Sequence, residues 1–493
     1  LPILDSLSSM QRTTLTIILL AVYVIAIIGI GLWNRKNENS EDYFLASRKL
    51  PAWLLAITFI ASWWGGGSAI DLVDHAHKNG LSSFWIYGVP VLIATALMYL
   101  FSKGIRNVGT ISQPELMSQR YNDKVALMLT IFIIIFMVIA SAVQVIVMGR
   151  FFHAFFDMGY ENGAILGTMI VLTYSMFGGF KGVVLTDLLQ FVFFLFTALF
   201  LFFLAYSQSG GLEVVKINAM ANAKDGYTSF FSNVADNLAY VITFGTSWMI
   251  QANIWQRISA AKQGSDAKKM MFISFLAFIP LYLMVTYTGM FSSVIYETVP
   301  ETGIIPDMVS NLSNPLLSAI LFVGLCSAIM STMDSLINTG ALSITVDVFQ
   351  KYIKPHAKPK TGVIVARIAT FAMAALALFM ALKIQSVLTI SWIASDFLTS
   401  GAFVPLVLGF LWARGTSKAA YVSMIFGLLF STYNLMVALE LDLPVAWEIA
   451  SAKQAIIGIS ISLIIFVGIS LLAPSDTEKS SRFIRKANVF GRY

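Results

Sequence analysis

Ser331, Thr332, Asp334 and Ser335 crowd one helical turn inside an apolar stretch, residues 321–351, and Thr339, Ser343 and Asp347 continue the row. Side-chain oxygens without histidine or cysteine suit a hard cation rather than a transition metal. An ionisable residue within an apolar span is a functional candidate by default, because burying it is costly. The pattern points to an alkali-cation site inside a membrane protein. Asp187, at the start of another apolar run, either caps its own first turn or joins such a site. Asp396 lies in a third run, where no hydroxyls are read at matching helical spacing, and is expected to gate or to pair elsewhere. Asp71 and Asp74 are expected to face water at the outer end of their helix.

The elements that must hold these groups are membrane helices. The chain has 493 residues, 57% hydrophobic and 12% charged, where soluble domains run at about a quarter charged. Apolar runs of about 20 residues, each long enough to cross about 30 Å of hydrocarbon, recur throughout. No long alternating pattern supports a β-barrel. Thirteen spans are read, at 13–33, 51–78, 83–103, 123–151, 162–178, 184–207, 235–257, 271–294, 312–351, 361–384, 388–412, 418–439 and 454–473. The first is too long for a signal-peptide core and is read as a retained helix.

Basic residues concentrate in loops 34–50 (Arg35, Lys36, Arg48, Lys49), 103–124, 257–269 (Arg257, Lys262, Lys268, Lys269) and 351–367, and in the tail after 474. They alternate with poor loops such as 295–311, which has no Lys or Arg. The positive-inside rule then places the N-terminus outside and the C-terminus in the cytoplasm of a cell (inner) membrane. It also explains the net charge of +6 without a nucleic-acid partner. The tail, 474–493, is polar and basic and is expected to be partly disordered. The single cysteine, Cys326, excludes a disulfide framework within the chain. His75 and His77, two apart, would not share a helical face, and no nucleophile–base or metal constellation assembles from the four histidines.

Two spans look interrupted. Trp63-Trp64-Gly65-Gly66-Gly67-Ser68 puts three glycines inside 51–78. That favours an unwound segment, tolerated at membrane depth only where it is buried in protein or lines a cavity. Close helix packing through small residues is the alternative. In 235–257, Gly245, Thr246 and Ser247 mark a break, followed by Gln251 and Asn253. Paired interrupted helices point to a midplane binding site. Trp63, Trp64, Trp85, Tyr87, Trp248 and Trp392 either line that cavity or pack in the core and the interface belts.

YFLASRKLPAW (43–53), FGGFKGVVLTDLLQ (177–190), WQRISAAK (255–262) and SAIMSTMDSLINTGALSITVDVFQKYI (327–353) resemble the sodium:solute symporter family. The similarity runs over nearly the whole chain. It implies the LeuT-type inverted five-plus-five repeat, all-α, with one helix before the core and two after. The expected divisions are 1–50, an extra helix and loop; 51–207, the first repeat; 208–234, an outer loop; 235–412, the second repeat; 413–473, two further helices; and 474–493, the tail. The resemblance implies a sodium site on the carbonyls of Ala61, Trp64 and Ala328 and the hydroxyls of Ser331 and Thr332. Some members, sodium–sialic acid transporters among them, look to have a second sodium site, which falls here on Ser331, Asp334, Ser335 and Asp187. Asp334 departs from the small or hydroxyl residue common at its position; it either strengthens that second site or takes a proton.

The substrate positions transfer less well. Galactose members use Gln, Glu and Asn where this chain has Ser68, Tyr87 and Gln251. The Trp64-Gly-Gly-Gly run resembles choline members, but Gln251 stands where one cage tryptophan is expected, and the third core helix offers Ser141 and Gln144 without a Trp. The expected pocket comprises Trp63, Gly65, Gly66, Ser68, Tyr87, Ser141, Gln144, Trp248, Gln251, Asn253 and Trp392, with no Arg or Lys. Such a polar, uncharged, aromatic-lined pocket suits a neutral, zwitterionic or aminated solute, with a sugar or sugar acid as the alternative. The expected activity is sodium-coupled symport in a lipid bilayer, with solute and sodium as partners and no obligate protein partner evident. Proton coupling on the same fold, or a sensor or channel on that scaffold, are the rivals.

Overall fold

The computed structural model describes residues 2–33, 45–439, 441, 453–474 and 477–490. Arg35 and Lys36 of the first basic loop lie outside them. Every extended element among the described residues is helical, and the only β pairing is an isolated bridge between Leu50 and Ala261. Among the described residues ten helices are long and apolar enough to cross a bilayer. Helices at the periphery, Pro2–Trp33, Pro359–Lys383, Ser417–Ala438 and Lys453–Leu472, expose Ile18, Val22, Ile368, Phe371, Leu429 and Ile464. No described residue covers them, as expected of side chains that face lipid.

The hydroxyl-studded stretch forms the central helix, Pro315–Leu342, which runs on into a π-helical stretch, Ser343–Ile353. Its start is set by Asn314, whose side chain accepts from Leu317 N at 2.9 Å, with Pro315 in the first turn. From Leu321 to Leu342 every residue is buried, the mark of a helix surrounded on all faces.

The first glycine-rich span is broken as expected. Helix Ala52–Trp63 ends at Trp64 (φ −85°, ψ 65°), and the chain resumes through a π-helical turn, Gly67–Asp71, into helix Leu72–Asn79. The glycines are needed for space rather than for φ. A Cβ on Gly65 would lie 2.5 Å from Gln144 Oε1, and one on Gly66 would lie 2.4 Å from Val147 Cγ2. Both neighbours belong to helix Asp123–Phe156. Gln144 Oε1 accepts from Gly66 N at 2.9 Å, satisfying a backbone donor freed by the break.

The second break falls later than the residue types suggest. Gly245, Thr246 and Ser247 stay inside helix Val234–Met249, and the interruption is at Ile250-Gln251, before helix Ala252–Ser259. Thr246 bonds back to Ile242 O at 2.7 Å, so its hydroxyl is absorbed within the helix. The freed carbonyls of Met249 and Ile250 accept from Trp255 Nε1 (2.8 Å) and Gln113 Nε2 (3.0 Å).

Spans 162–178 and 184–207 fall within one helical element, Tyr160–Ser209, that turns back on itself: Tyr160 bonds the carbonyl of Ala381 and Tyr206 packs on Phe291, near the C-terminal ends of helices Pro359–Lys383 and Gly264–Ile295, whereas Asp187 between them meets Arg257. One further expectation changes. The tail holds a docked helix, Thr477–Ala487. Phe483 packs on Phe410 with centroids 5.3 Å apart, and Ser480 accepts from Arg120 Nη1 at 2.8 Å. Phe483 and Ala487, four apart, form a small apolar face that repays ordering.

Arg48 binds the carbonyls of Gly109 and Thr110, and Arg106 that of Lys262. These contacts knit the basic loops together at one end of the bundle, hereafter the basic end.

Candidate cation and substrate site

The central helix meets the first broken helix through hydroxyls and carbonyls. Ser331 Oγ donates to Ala61 O at 2.9 Å and to Ala328 O at 3.0 Å. Thr332 Oγ1 lies 3.4 Å from Ala61 O and 3.2 Å from Ala328 O. Four of the five oxygens expected for the shared sodium site thus form one buried cluster. Trp64 sits at the break itself, its ring packed on Tyr282 and Phe194.

One turn further along, Ser335 Oγ lies 3.0 Å from Ser62 Oγ. Asp187, fully buried, accepts from the Thr58 hydroxyl and from Arg257 Nη2 at 3.2 Å. Arg257 also donates to Ser335 Oγ (2.8 Å), Thr58 Oγ1 (3.2 Å) and Asn253 O (3.0 Å). Asp334 faces Ser175 and lies near both Asp187 and Arg257. Among the described residues, one oxygen on each aspartate, Oδ1, has no hydrogen-bond partner. Thr58, Ser62 and Arg257 escaped the sequence reading. Arg257 was counted with the basic loop, yet it is 1% exposed and ends a core helix. A buried aspartate needing a cationic partner was the signal that could have found it.

A cavity of about 80 Å³ opens beside this cluster. Of the expected substrate residues, Trp63, Gly65, Ser68, Tyr87, Gln144, Trp248 and Gln251 line it; Gly66, Ser141, Asn253 and Trp392 do not. Trp392 points elsewhere because Ser391, Ala394 and Ser395, at i, i+3 and i+4, present the lining face of helix Val387–Asp396. Asn253 is buried with neither side-chain atom bonded, while its carbonyl serves Arg257. One wall is an aromatic stack: Phe244 lies flat on Trp248 (4.8 Å, 6°) and Tyr87 on Phe244 (5.7 Å, 22°). Trp63 meets Trp248 edge-on at 5.6 Å, and its indole N–H has no partner. Thr332 and Ser62 line the cavity as well, so it shares residues with the oxygen cluster.

Toward the end opposite the basic loops lies a wider cavity of about 570 Å³, lined by Asp71, Asp74, His75, Lys78, Arg150 and Glu301 among others. Tyr87 donates to Asp71 at 3.1 Å, and Asp74 accepts from Ile304 N at 2.8 Å. Both aspartates therefore hold structure as well as facing an opening. Trp85 packs on Phe230 and donates to its carbonyl, away from the substrate cavity. His75 bonds Ser83 and His77 bonds Ser292, on different partners as their spacing implied. Among the described residues no group of three His, Cys, Asp or Glu could hold a metal ion.

Broken helices that lay a small cavity against buried oxygens define a membrane transporter of the inverted-repeat class. The family model described as SSF: Sodium:solute symporter family matches residues 43–427, and the chain belongs to that family. It is 25% identical to a sodium/glucose cotransporter of Vibrio parahaemolyticus, covering 85% of this chain and 84% of that one. It is 26% identical to a sodium/proline symporter of Staphylococcus aureus (strain Newman), covering 95% and 94%. Among solved structures, a Na+-coupled sialic acid symporter in a substrate-bound outward-open state superposes with a TM-score of 0.79 at 16% identity, covering 94% of this chain and 99% of that one. The LeuT-like, all-helical fold expected from the sequence is thereby shown.

Proposed function

We propose that this protein is a sodium-coupled symporter that imports a small neutral or zwitterionic solute by alternating access. One observation carries the reading: Thr332 belongs both to the oxygen cluster at Ala61 and to the lining of the cavity. An ion held by Ala61, Trp64, Ala328, Ser331 and Thr332 would pin the break of the first helix against the central helix. That ordering completes the cavity, so sodium raises solute affinity and solute raises sodium affinity by the same factor.

A second sodium ion fits the charge balance nearby. Asp187 and Asp334 bring two carboxylates and Arg257 one guanidinium, which leaves one negative charge for a monovalent cation. The unpartnered Oδ1 atoms of both aspartates and the hydroxyl of Ser335 are oxygens available to it. A proton on Asp334 would neutralise the same charge, and is the alternative.

The cavity favours a small solute. Drug-sized ligands occupy about 300–1,000 Å³, and about 80 Å³ is far below that. Among the solutes named for the relatives, proline suits it better than glucose or sialic acid. Its lining has no Lys or Arg to clamp a carboxylate. The free indole N–H of Trp63 and the free hydroxyl of Ser395 are donors open to it. We further propose thirteen crossings, with each broken helix crossing once and residues 160–209 crossing twice. The basic end then faces the cytoplasm of a cell membrane, with the N-terminus outside.

The deciding experiment is uptake into proteoliposomes with and without an inward sodium gradient. The solute is to be chosen by a thermal-shift screen of amino acids, amines and sugars. Accumulation of a small zwitterion only with the gradient is the expected result. Accumulation driven by a pH gradient alone would replace sodium with a proton.

A further inference from the structure

Asp396 has no part in the site above, yet it is fully buried at the end of helix Val387–Asp396. Its Oδ1 accepts from Ser400 Oγ at 2.6 Å, and its Oδ2 from Asn434 Nδ2 at 2.9 Å. Ser431, on the same helix as Asn434, also faces it. Ser400 is the hydroxyl at i+4 that the sequence reading overlooked. Ser400, Ser431 and Asn434 are each no more than 1% exposed. Among the described residues, Ser431 Oγ and Asn434 Oδ1 meet no partner at full hydrogen-bonding geometry. Among the described residues no Lys, Arg, His or second carboxylate faces Asp396 from any neighbouring helix.

The surroundings are built to this spot. A π-helical turn, Phe397–Phe403, begins immediately after Asp396, and such turns recur at functional sites. Two glycines bring the flanking helices onto it. A Cβ on Gly427 would lie 2.3 Å from Gly401 Cα, and one on Gly458 would lie 2.0 Å from Ser400 Oγ. A carboxylate within a membrane span, without a cationic side chain, calls for a cation from elsewhere. An all-oxygen shell suits an alkali ion or a proton.

We propose that Asp396, Ser400, Ser431 and Asn434 form a separate site for one dehydrated monovalent cation, between helix Val387–Asp396 with its π-helical continuation and helix Ser417–Ala438. The site is coupled to the substrate cavity through one turn of backbone. Ser395, the neighbour of Asp396, lines the cavity with an unpartnered hydroxyl. Thr399 ties the same turn to Thr243 O (3.0 Å) and Thr246 (2.9 Å) in the helix leading to the second break. Cation binding at Asp396 fixes the turn that presents Ser395.

The test uses purified full-length protein and the ions alone. Equilibrium binding of radioactive sodium gives the number of ions per chain, and sodium-induced thermal stabilisation is followed from pH 5 to pH 8. The Asp396→Asn, Ser431→Ala and Ser331→Ala/Thr332→Ala variants are compared. If the site takes sodium, Asp396→Asn binds one ion fewer, and Ser431→Ala weakens one ion roughly tenfold. The Ser331→Ala/Thr332→Ala variant loses a different ion and keeps that one, which separates this proposal from the shared-site reading. If the site takes a proton, Asp396→Asn keeps the ion count and loses a step in the pH dependence. An ion count and pH profile unchanged from wild type would overturn the proposal. Ser431→Ala decides the matter if Asp396→Asn does not fold, because it removes one hydroxyl beside the carboxylate and leaves the carboxylate in place; an unchanged ion affinity and pH profile in that variant overturns it too.

Discussion

Arg257 Nη2 lies 3.2 Å from Asp187 Oδ2, and neither side chain is more than 1% exposed. The pair joins the second broken helix to the long helix Tyr160–Ser209. Through Thr58 and Ser335 it also reaches the first broken helix and the central helix. Four helices therefore meet at one guanidinium. A buried ion pair is weak support for stability in itself, but removing one partner strands the other charge.

Arg257→Met is expected to destabilise the protein by roughly 3–5 kcal/mol, because Asp187 is left buried without its partner. The double variant Arg257→Met/Asp187→Asn should recover part of that loss. Melting of the detergent-solubilised protein, with both single variants and the double, measures it. Additive losses would mean that the two side chains do not act as a pair.

Ser331→Ala and Thr332→Ala are expected to raise the sodium concentration for half-maximal stabilisation roughly tenfold each, about 1.4 kcal/mol. They should differ in a second readout. Thr332 lines the cavity and Ser331 does not, so only Thr332→Ala should weaken solute binding at saturating sodium. Parental sodium curves in both variants would show that the oxygen cluster at Ala61 is not an ion site.

The first break and its hydroxyl partner were legible because Gly65-Gly66-Gly67 and Ser331-Thr332 are local patterns. What stayed hidden depends on packing between distant segments. Arg257 lies in the last turn of helix Ala252–Ser259, where the sequence runs into a basic loop, and only the tertiary fold turns it inward onto Asp187. The second break was misplaced because Gly245 promised flexibility, whereas the interruption at Ile250-Gln251 is stabilised by Gln113, far away in sequence. Trp392 is expected at the cavity from its residue type, whereas helical rotation brings Ser391 and Ser395 there instead. The tail looked disordered by composition, and its docking rests on a few apolar contacts such as Phe483 on Phe410.

Asp334→Asn is expected to lower the number of sodium ions bound per chain by one while leaving the affinity for the others within a few-fold. Its Oδ1 has no hydrogen-bond partner among the described residues, so the amide removes charge without breaking a bond at that atom. Radioactive sodium binding at saturation reads the count. A retained ion together with an altered pH dependence would assign a proton to Asp334. A retained ion and an unaltered pH dependence would leave it a structural group.

Alanine at two glycines separates a break that requires glycine from a helix that merely contains one. At Gly66 an added Cβ would come within 2.4 Å of Val147 Cγ2. Val147 is buried, so something must shift, at a cost of about 1–3 kcal/mol. The displaced segment carries Gly65 and Ser68 of the cavity lining and follows Ala61 by a few residues. Gly66→Ala should therefore blunt sodium-induced stabilisation as well as lower the melting temperature, and Val147→Ala in the same chain should restore much of both. At Gly245 the nearest atom to an added Cβ is 3.6 Å away, an ordinary contact within a continuous helix. Gly245→Ala should leave the sodium response intact and raise stability by up to about 1 kcal/mol, the helix preference of alanine over glycine. If the Gly245 variant lost its sodium response instead, that helix would have to unwind at Gly245 during transport, and the interruption at Ile250-Gln251 would be one of two.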